Sequence, residues 1–79
     1  MNTPSPLRKL GGRIRALRTA AGLAPARLAA AAMIEEETLA AIEAGRRDPD
    51  YLVLKRLAEA LGVSVGALLS AMEDPDQPP

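Results

Sequence analysis

Three glycines, Gly22, Gly45 and Gly62, each close a stretch whose apolar residues recur at three- and four-residue steps. Glycine adopts the left-handed conformation that ends a helix at little steric cost. This punctuation restricts the chain to short helices joined by tight turns. No stretch alternates apolar and polar residues as a strand would, and no internal repeat is present.

Five helices are predicted. The first starts after Ser5, a good N-cap, with Pro6 at the first helical position. Leu7, Leu10, Ile14, Leu17 and Ala21 form its apolar stripe. Gly11 and Gly12 inside it each cost about 1 kcal/mol relative to alanine, which predicts fraying of its first turns. The second runs from about Pro25 to Ala32, with Leu28, Ala29 and Ala32 inward. The third runs from about Glu36 to Ala44, with Leu39 and Ile42 inward. Glu35, Glu36 and Glu37 sit at its start, where the helix dipole favours negative charge by about 0.3–1 kcal/mol each. The fourth follows Asp50 as N-cap and buries Leu54, Leu57, Ala58 and Leu61. Ser64 caps a fifth, Val65 to about Met72. Residues 1–5 read as a flexible N-terminus, 6–72 as one helical domain and 73–79 as a disordered tail. The expected fold class is all-α, a compact five-helix bundle.

Composition narrows the chemistry. The 79 residues fit one domain, and a domain of this size buries only about 60% of its unfolded surface. There is no cysteine and no histidine. Disulfides, thiolate metal sites and the commonest general base are therefore excluded. Three consecutive glutamates point about 100° apart around a helix and do not share a site. No glycine-rich phosphate loop or paired-carboxylate constellation is present, so an enzyme is not expected, nor a cofactor or a metal. The longest apolar run, Leu28 to Ile34, is seven residues, against about 20 for a membrane span. The N-terminal residues lack the charged and apolar regions of a signal peptide, so the expected location is the cytoplasm, on the nucleoid if the chain binds DNA.

A net charge of zero hides a split. Residues 1–34 carry six basic side chains and no acidic one; all ten acidic residues lie in 35–79. Such asymmetry marks either a nucleic-acid face or complementary ends of a self-associating chain. Tyr51 is the sole aromatic residue, which argues against single-strand binding by base stacking.

One ordered set of residues is more specific. It runs through Arg13-Ile14-Arg15, Leu17-Arg18, Gly22-Leu23, Leu28-Ala29 and Thr38-Leu39. It continues through Ile42-Glu43, Gly45-Arg46-Arg47, Pro49, Leu54, Leu57-Ala58 and Ala60-Leu61-Gly62-Val63-Ser64. The set resembles the phage repressor/Cro-type (XRE-like) helix-turn-helix family over about residues 10–70. The resemblance implies a lambda-repressor-like fold that binds duplex DNA as a homodimer and regulates transcription. The third helix would read the major groove through Glu36, Glu37, Thr38, Ala40 and Ala41. Arg46, Arg47, Arg13 and Arg27 would approach phosphate. Ala29 would be the small residue where the two helices of the motif cross, and Arg18 would pair with Glu43 as a structural ion pair. Val63–Met72 would be the dimer surface, and the leucine stripe Leu54, Leu57, Leu61, Leu68, Leu69 would be core or dimer contact.

The departures from the family pattern concentrate on the reading face. Ala24 and Pro25 replace a hydroxyl residue and a phosphate-binding glutamine. Met33 stands where the turn normally holds a left-handed glycine, so either the turn is strained or it takes another shape. Glutamate and alanine replace the amide and basic readers of the third helix. Three readings of Glu35–Glu37 follow: a solvated, dipole-stabilised helix start, acceptors for cytosine amino groups, or a face for a basic protein partner. The last reading makes the chain a protein-interaction module that has kept the fold and lost sequence-specific DNA binding.

Overall fold

The computed structural model describes residues 5–73. The expected flexible N-terminus and disordered tail fall outside them, apart from Ser5 and Glu73. Among the described residues there are five α-helices and no strand: α1 (Pro6–Ala20), α2 (Pro25–Ala31), α3 (Glu36–Glu43), α4 (Tyr51–Leu61) and α5 (Val65–Leu69). A 3₁₀ turn, Ser70–Met72, follows α5, so the fifth predicted helix is split.

Local chemistry sets both ends of these helices. Ser5, Asp50 and Ser64 accept from the backbone N–H three residues on, at 3.2, 2.9 and 3.0 Å. Each supplies one acceptor for donors that a helix start leaves unpaired. The first four helices close alike, by paired bonds that run back over the last turn. In α1 the N–H of Leu23 reaches the carbonyl of Arg18 and that of Gly22 reaches Thr19. In α3 the equivalent pairs are Arg46 to Ala41 and Gly45 to Ile42. Gly22, Gly45 and Gly62 all have φ between 71 and 75°, as this closure requires.

The core draws on all five helices: Leu10 and Ile14, Leu28 with Ala29 and Ala32, Leu39 and Ile42, Leu54 with Leu57 and Ala58, and Leu68. Three expectations need correcting. Ala21 is exposed, because α1 has already ended and its stripe stops at Leu17. Leu61, expected on the core face of α4, is only half-buried and packs at the edge of the core; of the remaining leucines in the stripe Leu68 is fully buried and Leu69 exposed. Third, α1 is continuous from Pro6, and Gly11 is buried rather than a site of fraying.

The reason is a backbone contact. A Cβ at Gly11 would overlap the carbonyl oxygens of Ile42 and Glu43 at the end of α3. A Cβ at Gly45 would lie 2.7 Å from Arg8 Cα. Helix α1 therefore lies directly on the C-terminal turn of α3. Arg18 holds the same pair of helices from further along α1. Its Nε donates to Glu43 Oε2 at 2.8 Å and its Nη2 to Oε1 at 3.2 Å, a two-pronged contact. Its Nη1 donates to the Leu23 carbonyl at 3.0 Å. The two side chains are 12% and 10% exposed. The hydrogen bond to Glu43 raises the Arg18 pKa above its ordinary value; burial opposes this and charge attraction adds to it.

Two predictions follow from this contact. Gly11→Ala should destabilise by about 1–3 kcal/mol through overpacking. Gly12→Ala, with no atom within 4 Å of the new carbon, should stabilise by up to about 1 kcal/mol. Chemical denaturation of both variants checks the pair, and equal effects would refute the close approach. Glu43→Ala should cost about 3 kcal/mol, because it leaves Arg18 largely buried without its partner. In a double-mutant cycle the Arg18→Ala change should cost far less when Glu43 is already absent.

Candidate nucleic-acid interface

Helices α2 and α3 and the turn between them form the helix pair expected to meet DNA. Glu35 is the N-cap residue of α3 but makes no side-chain capping bond. Glu36 and Glu37 occupy its first turn. Both are exposed, as are Ala40 further along the helix and Ala44 at its C-cap; Thr38 and Ala41 are half-buried. The opposite side of α3 buries Leu39 and Ile42. Periodicity leaves a face with two carboxylates at one end and methyl groups along the rest. Among the described residues the single ion pair is Arg18–Glu43. The carboxylates of Glu35, Glu36 and Glu37 thus have no cationic partner there.

The turn between α2 and α3 keeps the shape that a glycine would take. The N–H of Ile34 reaches the Ala29 carbonyl at 3.0 Å and that of Met33 reaches Ala30 at 3.1 Å. This is the same closure as in α1 and α3, with methionine in the glycine position. Met33 has φ 59° and is the only non-glycine residue at positive φ among those described. The strained alternative is therefore the observed one. Its side chain is 72% exposed and makes little use of the core.

The arginines divide by position. Arg46 and Arg47 are exposed in the loop after α3. Arg47 lines a cleft of about 220 Å³ with Ile34, Glu35, Thr38, Ile42, Asp48, Pro49, Asp50 and Val53. The loop thus folds back along α3 and brings Arg47 to the same recess as Thr38. Arg8 was not among the expected phosphate contacts, yet its backbone abuts Gly45, the residue that precedes Arg46 in the chain. No local sequence signal identifies Arg8, because the contact depends on how α1 crosses α3. Arg13 and Arg27 are exposed on α1 and α2, and no hydrogen bond or ion pair among the described residues joins them to this loop. No group of His, Cys, Asp or Glu among the described residues has the arrangement of a metal site. None of the described helices is long and apolar enough to cross a membrane.

Residues 9–72 match the family described as a helix-turn-helix domain. The chain belongs to this family. Its structure is similar to that of the clp gene regulator ClgR from Corynebacterium glutamicum, with a TM-score of 0.83 at 28% identity over 90% of this chain and 76% of that one. A second crystal structure of that regulator matches with the same score and identity over 91% of its length. The restriction-modification controller protein C.AhdI from Aeromonas hydrophila aligns at 34% identity with a TM-score of 0.76, covering 78% of this chain and 94% of that one. No curated protein matches the chain by sequence. The all-α, repressor-like architecture implied by the residue pattern is thus the architecture of the helix-turn-helix domain.

The helix-turn-helix geometry gives Met33 a measurable consequence. Met33→Gly removes a left-handed penalty of about 1–2 kcal/mol and gives the unfolded chain about 0.4–1 kcal/mol more freedom. The net gain should be about 0.5–1 kcal/mol, read as a rise of about 4 °C in the thermal midpoint. A fall instead would mean that the methionine side chain stabilises the turn.

Proposed function

We propose that this chain is a DNA-binding transcriptional regulator that engages duplex DNA as a homodimer, with residues 6–72 as its folding unit. The observation that carries the reading is membership of the helix-turn-helix family, together with the regulators it resembles in structure. Helix α3 would enter the major groove and present Glu36, Glu37, Thr38, Ala40 and Ala41 to base edges. Arg46 and Arg47 would hold phosphate at one end of α3, joined by Arg8, while Arg13 and Arg27 would approach the backbone from α1 and α2. One domain reads a half-site, which is the reason to expect two copies. The segment Val63–Met72, with exposed Leu69, would supply the contact between them. Occupancy of a site on duplex DNA in the cytoplasm, rather than catalysis, would be the mode of action.

The carboxylates at the start of α3, which have no cationic partner among the described residues, favour a second reading, a module that binds a basic protein partner. The two readings separate on salt. Duplex binding should weaken linearly in log affinity against log salt, with a slope of about 0.9 per phosphate neutralised. Replacing both Arg46 and Arg47 by alanine should therefore reduce the slope by about 1.8 per protomer, or about 3.6 for the dimer. Fluorescence titration of genomic duplex fragments between about 50 and 200 mM salt measures this. No salt-dependent binding at protein concentrations on the order of 50 µM, where even non-specific complexes form, would remove the DNA reading. Capture of a basic protein that is lost on Glu36→Lys/Glu37→Lys would then support the second.

A further inference from the structure

The exposed face of α3 carries an unusual set of groups for a helix in the major groove. Glu36 and Glu37 contribute acceptors only, and Ala40 contributes a methyl group. The half-buried hydroxyl of Thr38 is the one side-chain donor on the helix. Each base pair shows the groove a fixed pattern. Guanine offers N7 and O6 as acceptors, adenine an N7 acceptor beside an N6 donor, cytosine an N4 donor, and thymine an O4 acceptor with a methyl group.

These patterns discriminate among partners for a carboxylate. Guanine presents acceptors to an acceptor and repels it. Adenine offers one donor, but its N7 lone pair lies beside that donor and repels the second carboxylate oxygen. Cytosine presents its amino group next to a C–H edge and has no competing acceptor. Of the four bases, cytosine is the best match for Glu36 or Glu37. Thymine is the best match for the Ala40 methyl, since an apolar contact to its C5-methyl group is the one base-edge contact alanine can make. Position agrees with chemistry: the N-terminal residues of a recognition helix contact base edges, and both glutamates lie in that first turn. Residues four apart lie on the same side one turn on, which puts Ala40 above Glu36.

Building on the DNA-binding reading above, we propose that α3 recognises a pyrimidine step. The first-turn glutamates accept from a cytosine amino group, and Ala40 packs against a neighbouring thymine methyl. G·C pairs are read through their cytosine, not their guanine. Affinity comes from the arginines at the phosphates, and the glutamates supply selectivity among sites.

The test is selection of bound duplexes from a randomised library at fixed low salt, by the wild-type chain and by Glu36→Gln and Glu37→Gln. Both positions are exposed and both changes conserve size. Glutamine pairs with adenine N6 and N7. The wild-type chain should enrich a cytosine that one of the two variants exchanges for adenine, with about a tenfold preference inverted when the C·G pair is swapped for A·T. Replacing the adjacent thymine by deoxyuridine should weaken wild-type binding by about fourfold, the worth of one methyl group. Salt-dependent binding without base preference, or with a preference unchanged in both variants, overturns the proposal and leaves the DNA-binding reading standing. Absence of salt-dependent binding to any duplex overturns both.

Discussion

The placement of α3 rests on a contact between backbones. Because Gly11 has no side chain, α1 reaches the carbonyl groups that end α3. Because Gly45 has none, the next residues of the chain can turn away against Arg8. Arg18 then fixes the same two helices a few turns further along α1, through Glu43. These contacts, spread from Arg8 to Arg18, constrain both the position and the direction of α3. The helix buries only Leu39 and Ile42 completely. Two side chains on eight residues would leave it free to roll, since hydrophobic burial is not directional. The close approach and the ion pair supply direction. A largely buried ion pair adds little net stability, because desolvation offsets its attraction. Its value here lies in geometry, and its third bond, to the Leu23 carbonyl, extends the constraint to the turn that leads into α2.

This arrangement separates the scaffold from the face it presents. Everything that fixes α3 lies on its inner side or at its C-terminal end. Glu36, Glu37, Ala40 and Ala44 touch none of it, and their exposure leaves them free to differ from the family pattern without a packing cost. The turn before α3 shows the opposite case. Its hydrogen bonds demand a left-handed residue, and Met33 adopts that conformation although no core contact repays the strain. The bonds made by Met33 and Ile34 hold the shape against the side chain's preference.

What could be read in the sequence was local. Ser5, Asp50 and Ser64 mark helix starts by their own hydrogen bonds, and Gly22, Gly45 and Gly62 mark ends by their own torsion angles. The core residues follow from period alone, and the repressor-like pattern gives their arrangement. What escaped depends on two helices meeting. Gly11 counts as a penalty when α1 is considered by itself. Its position on the apolar stripe, between Leu7 and Ile14, was the available signal that a helix crosses there. Arg8 joins the loop after α3 only because α1 and α3 cross at that end. The end of the α1 stripe at Leu17 and the change to a 3₁₀ turn at Ser70 reflect helix termini, where period is a poor guide. On the candidate interface, residue types and their order along α3 were legible. Which arginines share a surface with them was not, because that surface is assembled from α1 and the loop after α3.

An acidic recognition helix makes physical sense once affinity and selectivity are kept apart. Phosphate contacts favour every duplex about equally, so arginines alone raise non-specific and specific binding together. Carboxylates at the groove floor subtract from both through repulsion. They return the loss only where an amino group meets them. Everywhere else they face N7, O6 or O4 and remain unsatisfied after losing water, which costs more than a missing contact. Under the proposed function, the glutamates of α3 act chiefly by penalising wrong sites, and specificity depends on that difference rather than on absolute affinity. Such a protein should bind weakly for its family and discriminate well. The balance between Glu36–Glu37 and the Arg8–Arg46–Arg47 group then sets the salt range over which it can act.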